Sequence, residues 1–269
     1  MINCINVISD KNIGGAGTIL LSFLRNYDRE LLNLSVIVPQ GSKLVPEIEK
    51  IGVECIQVDG IADRSYARED VDKLLAIFKE KKPDIVHCHA TLSGRIAGRK
   101  YGCKGVNTRH SIFDQPAYKK HFPFKQLNGY VNNKNSDVII AVSPAAKENI
   151  VEIGTDPNKV VVVFNGINPA RTISAQEQRQ VKERYGIGED EFVCAIIARL
   201  EPVKGHSYVL EAAKLLQDKG EKIKILIAGT GSAEEQLHQQ AKELGLTNVV
   251  FTGFLREIWE IENIMDLQL

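Results

Sequence analysis

Short runs of β-branched and apolar residues alternate with amphipathic segments along almost the whole chain. In the amphipathic segments the apolar side chains recur at helical spacing, as at Val71, Leu74 and Phe78, which places them on one face of a helix. Strands that alternate with helices are joined by crossover connections, and these produce parallel sheets covered on both faces. The pattern therefore predicts a doubly wound α/β fold. The predicted strands are Ile2–Ile8, Leu34–Val38, Glu54–Val58, Ile85–His87, Gly105–Thr108, Val138–Val142, Val160–Val163, Val193–Ala198, Ile223–Ala228, Asn248–Phe251 and Asp266–Leu269.

The predicted strands fall into two groups, which indicates two domains. Seven strands precede residue 170, enough for a complete sheet, and a loop rich in turn-forming residues follows them at 165–169. We therefore expect an N-terminal domain over residues 1–170 and a C-terminal domain over 171–269. A doubly wound nucleotide-binding domain has about six strands, so the few strands after residue 171 predict an incomplete second domain. Its unpaired sheet edge would favour association, which predicts a homo-oligomer.

The charge composition argues against a nucleic-acid partner. Lys and Arg together count 34, as do Asp and Glu, so no net charge is available to drive counterion release. The five cysteines stand singly, as is typical of a reducing compartment. The N-terminus has no signal-peptide pattern, and no apolar run reaches the length of a membrane span. We expect a cytoplasmic protein, with peripheral contact at the inner face of a membrane left open.

The first candidate site is the glycine-rich sequence that follows the first predicted strand. Gly14 and Gly15 precede a helix predicted to begin near Thr18, and glycines there allow backbone N–H groups to approach an anion. The spacing is not that of a dinucleotide-binding or Walker loop, and no acidic residue follows the second strand to bind a ribose. Contact with an anionic substrate is favoured over an ordinary tight turn.

The second candidate site is formed by histidines near two strand ends. His89 and His110 are predicted at the carboxyl ends of different strands, where an imidazole can move a hydroxyl proton near neutral pH. His87 shares a strand face with His89, whereas Cys88 lies on the opposite face. We expect His87 to be a core residue with its hydrogen bonds satisfied. No further ligand stands at metal-binding spacing, so no metal is expected.

Two loops of the second domain complete the candidate sites. Arg199 and Lys204 lie between a strand and a helix predicted to begin near Gly205, an arrangement that suits a diphosphate because the helix N-terminus adds unpaired N–H groups. The next loop contains Gly229 and Gly231 and is expected to lie at the edge of the same nucleotide site. Alternatively it is an ordinary turn, with Ser232 and Glu235 forming a capping box for the following helix.

Several sequence motifs are spread over nearly the whole chain. They are GGAG, PDIVHCH, SDVIIAVSPAAKENIVEIG, KVVVVFNGIN, ARLEPVKGH, and ILIAGTGSAEEQL continuing to LGLTNVVFTGF. Together these segments resemble the retaining glycosyltransferases of family 4. The resemblance implies a GT-B fold of two Rossmann-like domains, with the acceptor in the first and a nucleotide-diphosphate-sugar in the second. It implies a hexosyltransferase of cell-envelope polysaccharide or glycolipid synthesis that uses no metal cofactor.

The resemblance also implies roles for particular residues. Arg199 and Lys204 match the two cations on the donor diphosphate, and Gly14 and Gly15 match the loop that closes over the phosphates and sugar. His89 or His110 matches the acceptor-side histidines. The nucleobase border is matched by Gly253 and Phe254. Such preorganised cations can stabilise a departing nucleoside diphosphate without a metal.

The sequence departs from the family at its C-terminal end. Family members carry a Glu-x7-Glu motif for the donor sugar and ribose and a final helix that returns to the first domain. Glu257, Glu260 and Glu262, on a helix predicted over Phe254–Ile264, do not have that spacing. We therefore expect a family member that ends early and transfers sugar poorly. The alternatives are a nucleotide-sugar 2-epimerase of the same fold and a non-catalytic protein that binds nucleoside diphosphates.

A basic stretch in the first domain bears on the acceptor. Between Arg95 and Lys125 the chain has eight basic residues and a single acid, Asp114, and several aromatic residues lie among them. Aromatic rings beside cations suit the interface of an anionic membrane, although a helix face is also often basic for solubility. The stretch predicts an anionic or lipid-linked acceptor. The residues concerned are Arg95, Arg99, Lys100, Lys104, Arg109, Lys119, Lys120 and Lys125, with Phe113, Tyr118, Phe122 and Phe124 among them.

Overall fold

The computed structural model describes residues 1–62, 64–167, 171–255 and 258–269. The chain divides into two compact units, residues 1–168 and 169–269. The predicted domain boundary between residues 170 and 171 falls at a gap in the described residues.

Within the described residues, the first unit contains a seven-stranded sheet. Its strands are β1 (Ile2–Ile8), β2 (Leu32–Pro39), β3 (Glu54–Val58), β4 (Ile85–His89), β5 (Lys104–Arg109), β6 (Val138–Ala141) and β7 (Val160–Val162). They are all parallel, in the order β3-β2-β1-β4-β5-β6-β7. Because β1 pairs with both β2 and β4, the winding of the sheet reverses there, and ligands of open α/β sheets bind outside the carboxyl ends of strands at such a point.

Helices pack on both faces of this sheet. They are α1 (Gly15–Asn26), α2 (Val45–Ile51), α3 (Arg68–Lys81), α4 (Leu92–Tyr101), α5 (Phe124–Lys134) and α6 (Pro144–Glu152). Side chains alternate across β1, so that Cys4 and Ile8 join one core cluster and Ile5 and Val7 join another. This burial on both faces explains why β1 is apolar almost throughout, as expected of a central parallel strand.

The second unit repeats the plan on a smaller scale. Its strands are β8 (Phe192–Ile197), β9 (Ile223–Ala228), β10 (Val249–Gly253) and β11 (Leu267–Gln268). Its helices are α7 (Ala175–Arg184), α8 (His206–Asp218), α9 (Glu234–Glu243) and α10 (Trp259–Glu262). The strands are parallel in the order β10-β9-β8-β11. The winding reverses at β8, and the loop after β8 therefore lies at the switch point of this sheet. The α/β fold predicted from the sequence is confirmed.

Two helix boundaries differ from the sequence prediction. α1 begins at Gly15, three residues before the predicted start, so its first turn contains the glycines themselves. Among the described residues of the predicted helix Phe254–Ile264, only those of α10 are helical. This helix stops where the Asn263 side chain accepts from Ile173 N and donates to Arg171 O instead of continuing the helix. Glu257 lies outside the described residues.

Candidate functional site

Two histidines at the carboxyl ends of neighbouring strands come together in the first unit. β4 ends at His89, and His110 directly follows β5. Since β4 and β5 are paired in parallel, their carboxyl ends lie at the same edge of the sheet. His89 Nδ1 lies 2.9 Å from His110 Nε2, and the two rings are stacked with their centroids 5.1 Å apart. The backbone of Ala90, the next residue, has a φ of 61°, a strained value for a non-glycine residue that is typical of functional sites.

A chain of hydrogen bonds sets how these two rings share their protons. Asn6, on β1, places its Oδ1 atom 3.3 Å from His89 Nε2. In the orientation that the structure gives the Asn6 amide, its Oδ1 atom accepts, so His89 Nε2 carries a hydrogen and His89 Nδ1 accepts from His110 Nε2. His110 Nδ1 is left with its lone pair. The arrangement prepares His110 to accept a proton or a hydrogen bond at that atom.

Burial holds both rings in the neutral form at neutral pH. Desolvation lowers the pKa of His89 well below its ordinary value, and the neighbouring His87 and His110 lower it further. Desolvation also lowers the pKa of His110. His89 is only 4% exposed, whereas His110 is half-buried. Of the two rings, His110 is the more accessible, and His89 lies behind it in hydrogen-bond contact.

A cavity of about 570 Å³ lies beside these rings. Its walls come from α1, from the ends of β4, β5 and β6, and from the segment after β7, and they are mostly apolar. They include Leu20, Phe23, Ile140, Val163, Phe164 and Ile167. His87 also lines this cavity, and its Nε2 atom lies 2.7 Å from Thr108 Oγ1. The expectation for His87 holds in part, because its ring is partly buried and makes this hydrogen bond, but the strand face it shares with His89 borders the cavity and not the closed core.

We expect the buried histidines to make the protein sensitive to acid. Burial lowers the pKa of His87 to about 4, whereas an unfolded histidine titrates near 6.5. As the pH falls from about 7.5 to about 5, the unfolded chain binds a proton that the folded chain does not, which costs about 2 kcal/mol of stability for this group. In urea denaturation at the two pH values, His87→Gln should lose about 2 kcal/mol less than the wild type. Equal losses in both proteins would contradict the assignment.

The glycine-rich sequence leaves the N-terminus of α1 open. Gly14 is the N-cap residue and supplies no side-chain cap, so the first amides of the helix lack a side-chain acceptor there. A Cβ added to Gly15 would meet no atom within 4 Å, whereas one on Gly17 would lie 3.1 Å from Leu44. Close packing against Leu44 thus explains why residue 17 is a glycine. At Gly15 the absence of a side chain leaves open space beside the start of the helix. The Asp10 carboxylate lies beside Gly14, so a bound anion would have to share this end of the helix with a negative charge.

The second unit places two cations at the start of α8. Arg199 follows β8, and Lys204 ends a short 3-10 helix, Pro202–Lys204. α8 follows at His206 after Gly205, which has a φ of 75° and provides no side-chain cap. Arg199 and Lys204 are both exposed, and neither forms an ion pair with any residue in the described ranges. Unpaired cations beside an uncapped helix N-terminus form a place where a diphosphate can bind.

The glycines of the second unit allow the neighbouring loop to pack against this one. Gly229 has a φ of 145°, and a Cβ on it would meet the Ala198 carbonyl group, whereas a Cβ on Gly231 would lie 2.7 Å from the carbonyl carbon of Leu200. Gly229 N donates to Gly253 O at 2.8 Å, which ties the end of β10 to the same place. Phe254 follows with its ring largely exposed. The structure thus brings together the loops that contain these three glycines.

The predicted capping box of α9 is wrong. α9 begins after Ala233 with no side-chain cap, and the Ser232 hydroxyl donates to Glu201 Oε2 at 2.6 Å. This hydrogen bond lowers the pKa of Glu201. The ionised Glu201 thereby links the loop with the two cations to the glycine loop, a contact that the sequence did not indicate.

The basic stretch of the first unit is smaller than predicted. Arg95 is turned inward, where its Nη1 atom donates to Asn132 Oδ1 at 3.0 Å, and burial lowers its pKa. Arg109 donates to Asn149 and stacks on Phe113, with burial lowering its pKa to about 10. These two guanidinium groups point inward, and the exposed cations of the stretch are Arg99, Lys100, Lys104, Lys120 and Lys125.

Within the part of the chain that the structure describes, no three His, Cys, Asp or Glu side chains are grouped as a metal site would require. The expectation of transfer without a metal cofactor remains a prediction. Asn6 is the site residue that the sequence analysis missed. Its signal is present in the sequence, since it is a polar residue in the middle of the apolar run of β1.

Comparison with known proteins identifies the family of the chain. The model of Glycosyltransferase Family 4 matches residues 13–171, and that of Glycosyl transferases group 1 matches residues 177–268. An uncharacterized glycosyltransferase of Methanocaldococcus jannaschii is 28% identical over 78% of this chain and 58% of its own length. The UDP-Gal:alpha-D-GlcNAc-diphosphoundecaprenol alpha-1,3-galactosyltransferase of Escherichia coli is 28% identical over 55% of this chain and 41% of its own length. The chain thus spans about half the length of these relatives.

Among solved structures, Anabaena HepE in complex with UDP and glucose superposes with a TM-score of 0.80 at 19% identity. The match covers 100% of this chain and 73% of that one, and it shows a shared fold. Two Rossmann-like units of this kind form the GT-B fold of glycosyltransferases. The chain belongs to glycosyltransferase family 4, whose model matches more than half of it.

Proposed function

We propose that this protein transfers a hexose from a nucleoside-diphosphate-sugar to an acceptor, with retention of configuration, in the synthesis of a cell-envelope polysaccharide or glycolipid. One observation carries the proposal: Arg199 and Lys204 lie exposed and without an ion-pair partner among the described residues, beside the uncapped N-terminus of α8. Membership of family 4 and the UDP bound by Anabaena HepE support the choice of donor.

The two cations act on the leaving group. As the bond from the sugar to the diphosphate breaks, negative charge accumulates on the diphosphate oxygens, and fixed cations stabilise that charge more than the charge of the intact donor. The N-terminal amides of α8 add hydrogen bonds to the same anion. Gly229, Gly231 and Gly253 let the nucleotide approach the backbone, with Phe254 bordering the base. No metal ion is required for these steps.

The acceptor is held in the first unit by the cavity beside His110. The lone pair on His110 Nδ1 accepts the proton of the acceptor hydroxyl group, whose oxygen bonds to the sugar carbon on the face from which the diphosphate departs, as retention requires. Asn6 and His89 keep the ring in the tautomer that has this lone pair. Gly14 and Gly15 provide the open helix terminus for the donor phosphates and sugar. The apolar cavity walls suit an acceptor with an apolar portion. The diphosphoundecaprenol acceptor in the name of the Escherichia coli relative supports a lipid-linked acceptor here as well.

Replacing Arg199 by alanine is expected to weaken the binding of UDP at least tenfold. A hydrogen bond to a charged group contributes about 1.5–3 kcal/mol, and about 1.4 kcal/mol corresponds to a factor of ten in affinity. Titration calorimetry with UDP measures the effect directly. Arg179→Ala on α7 is the matched control, since Arg179 is equally an exposed arginine of the second unit but does not belong to the loop between β8 and α8. Unchanged affinity in Arg199→Ala would remove the basis of the proposal.

The same preparation separates the proposed activity from its alternatives. Incubation with UDP-glucose or UDP-N-acetylglucosamine without an acceptor should leave the configuration at C2 of the sugar unchanged in the proton NMR spectrum. Inversion at C2 would identify a 2-epimerase. Tight binding of UDP without consumption of any UDP-sugar in the presence of a membrane lipid extract would identify a non-catalytic binding protein.

A further inference from the structure

Helix α5 is turned so that its polar side faces the protein. Its one buried residue among those described is Gly129, which packs so closely on Gly154 that a Cβ would meet the Gly154 carbonyl group. Asn132 Nδ2 donates to Thr155 Oγ1 at 3.0 Å, and the Asn133 side chain accepts from the backbone N–H of Asp156 at 2.9 Å. A surface helix normally presents its apolar stripe to the core. In α5 glycine and asparagine hold that position.

The apolar side of α5 consequently faces outward. Phe124 and Leu127 are 45% and 59% exposed, and the ring of Tyr130 lies beside them with 59% exposure. The segment before the helix extends this surface, because Phe122 is 80% exposed and Tyr118 packs edge-on against Phe124 with centroids 5.1 Å apart. These side chains form one aromatic and apolar patch, which we call the α5 face: Tyr118, Phe122, Phe124, Leu127 and Tyr130.

Positive charges surround the α5 face. Residues 110–134 contain four lysines and a single acidic residue, Asp114. Lys134 lies over the ring of Tyr130 and donates to its hydroxyl group at 2.7 Å, whereas Lys120 pairs with Glu152 at 2.7 Å. Lys125 is exposed at the first turn of the helix, next to Phe124. The patch therefore combines exposed rings with ammonium groups, of which that of Lys120 is paired with the Glu152 carboxylate.

We propose that the α5 face docks on an anionic lipid surface. Phenyl rings and leucine can enter the boundary between headgroups and acyl chains, tyrosine hydroxyls can stay at the headgroups, and lysines can contact lipid phosphates. A protein partner of complementary shape would be expected to bury a patch with fewer lysines, since charged residues are depleted at the cores of protein interfaces. None of the helices within the described residues has the length and apolar character that crossing a membrane requires.

The position of the α5 face links it to the proposed transfer reaction. The segment that carries it starts directly after His110, and Asn149 holds the intervening Phe113 through both its backbone N–H and C=O groups. Docking would bring the cavity beside His110 close to the lipid surface, where a lipid-linked acceptor is found. This link rests on the proposed function, whereas docking itself is measured without turnover.

Flotation with vesicles tests the docking. The protein is mixed with vesicles of phosphatidylcholine alone or of phosphatidylcholine with phosphatidylglycerol, and the bound fraction is measured at low and at high salt. We expect binding only to the anionic vesicles, weakened by salt. Lys119→Glu with Lys125→Glu should lower the partition coefficient at least tenfold, and so should Phe122→Ser with Leu127→Ser. Thermal unfolding of each variant checks that it is folded.

Matched controls place substitutions of the same kind elsewhere. Leu31→Ser with Leu215→Ser removes two leucines that are 55% and 65% exposed, and Lys43→Glu with Lys79→Glu reverses two exposed lysines outside the basic stretch. These variants should bind anionic vesicles as the wild type does.

Equal binding of the wild type to neutral vesicles, or unchanged binding of the α5-face variants, would overturn the proposal. The proposal would also be overturned if the protein did not bind vesicles but self-associated, and if Phe122→Ser with Leu127→Ser abolished that self-association. The α5 face would then be a protein interface. Arg199→Ala should lose UDP binding and keep vesicle binding. The test of docking and the test of the proposed function would then give separate results.

Discussion

Replacement of Gly231 by alanine is expected to lower the free energy of unfolding of the second unit by about 3 kcal/mol or more. The added Cβ would lie 2.7 Å from the carbonyl carbon and 2.8 Å from the nitrogen of Leu200, and these are backbone atoms that no side-chain rotation can move away. Leu200 is itself fixed, because it is 1% exposed and exchanges hydrogen bonds with Thr230 and Ala233. Relief of the clash must therefore separate the two loops.

The single tryptophan of the chain, Trp259, lies in the second unit and reports its unfolding by fluorescence. Urea denaturation followed at this residue gives the stability of the unit that contains Gly231. Gly188→Ala is the matched control, since a Cβ there would meet only the Glu191 side chain at 3.4 Å, and it should change stability by less than about 1 kcal/mol. We also expect Gly231→Ala to weaken UDP binding. A variant as stable as the wild type would show that the loops do not require this close approach.

The alternation of strand and helix segments was sufficient to predict the α/β fold and the loops that carry the candidate sites. Burial on both faces makes a parallel strand such as β1 continuously apolar, and ligand loops follow from the rule that they extend from the carboxyl ends of such strands. Those two regularities are local in sequence. The pairing of His89 with His110 was accessible for this reason, since both residues lie at predicted strand ends.

Contacts between distant segments were the part that the sequence did not predict. Ser232 has the spacing of a capping residue, yet its hydroxyl group meets a stronger acceptor in the carboxylate of Glu201, which lies 31 residues earlier. The sequence around Arg95 is typical of a surface cation, but its side chain points inward and donates a hydrogen bond to Asn132. In each case a hydrogen bond to a charged group outweighs the local tendency, and its geometry depends on how the two segments pack.

Helix α5 shows the same limitation for apolar residues. The spacing of Phe124 and Leu127 is typical of side chains that face a core, but both are exposed. The orientation is decided by Gly129, whose lack of a side chain permits close packing on Gly154. A pattern of hydrophobic residues indicates which positions share a face of the helix. It does not indicate whether that face meets the protein interior or another surface.

Alanine at position 110 is expected to reduce kcat for sugar transfer by roughly 10²–10⁴-fold, the usual contribution of a general base. His110 has the lone pair at Nδ1, whereas Arg199 and Lys204 are proposed to hold the donor diphosphate. The affinity for UDP in calorimetry should therefore stay within about threefold of the wild-type value. A loss of UDP affinity as large as that of Arg199→Ala would show that His110 acts on the donor and not on the acceptor hydroxyl.

The pH dependence of kcat distinguishes the roles of the two histidines. Because burial lowers the pKa of His110, the wild-type rate should fall as the pH decreases only once the pH is below the ordinary histidine value of about 6.5. This acid limb should be absent in His110→Ala. His89→Gln removes the ring that receives the hydrogen from His110 Nε2, so the plateau rate should fall while the acid limb is retained. An acid limb that persists in His110→Ala would mean that another group accepts the proton, and an acid limb that disappears in His89→Gln would make His89 the base.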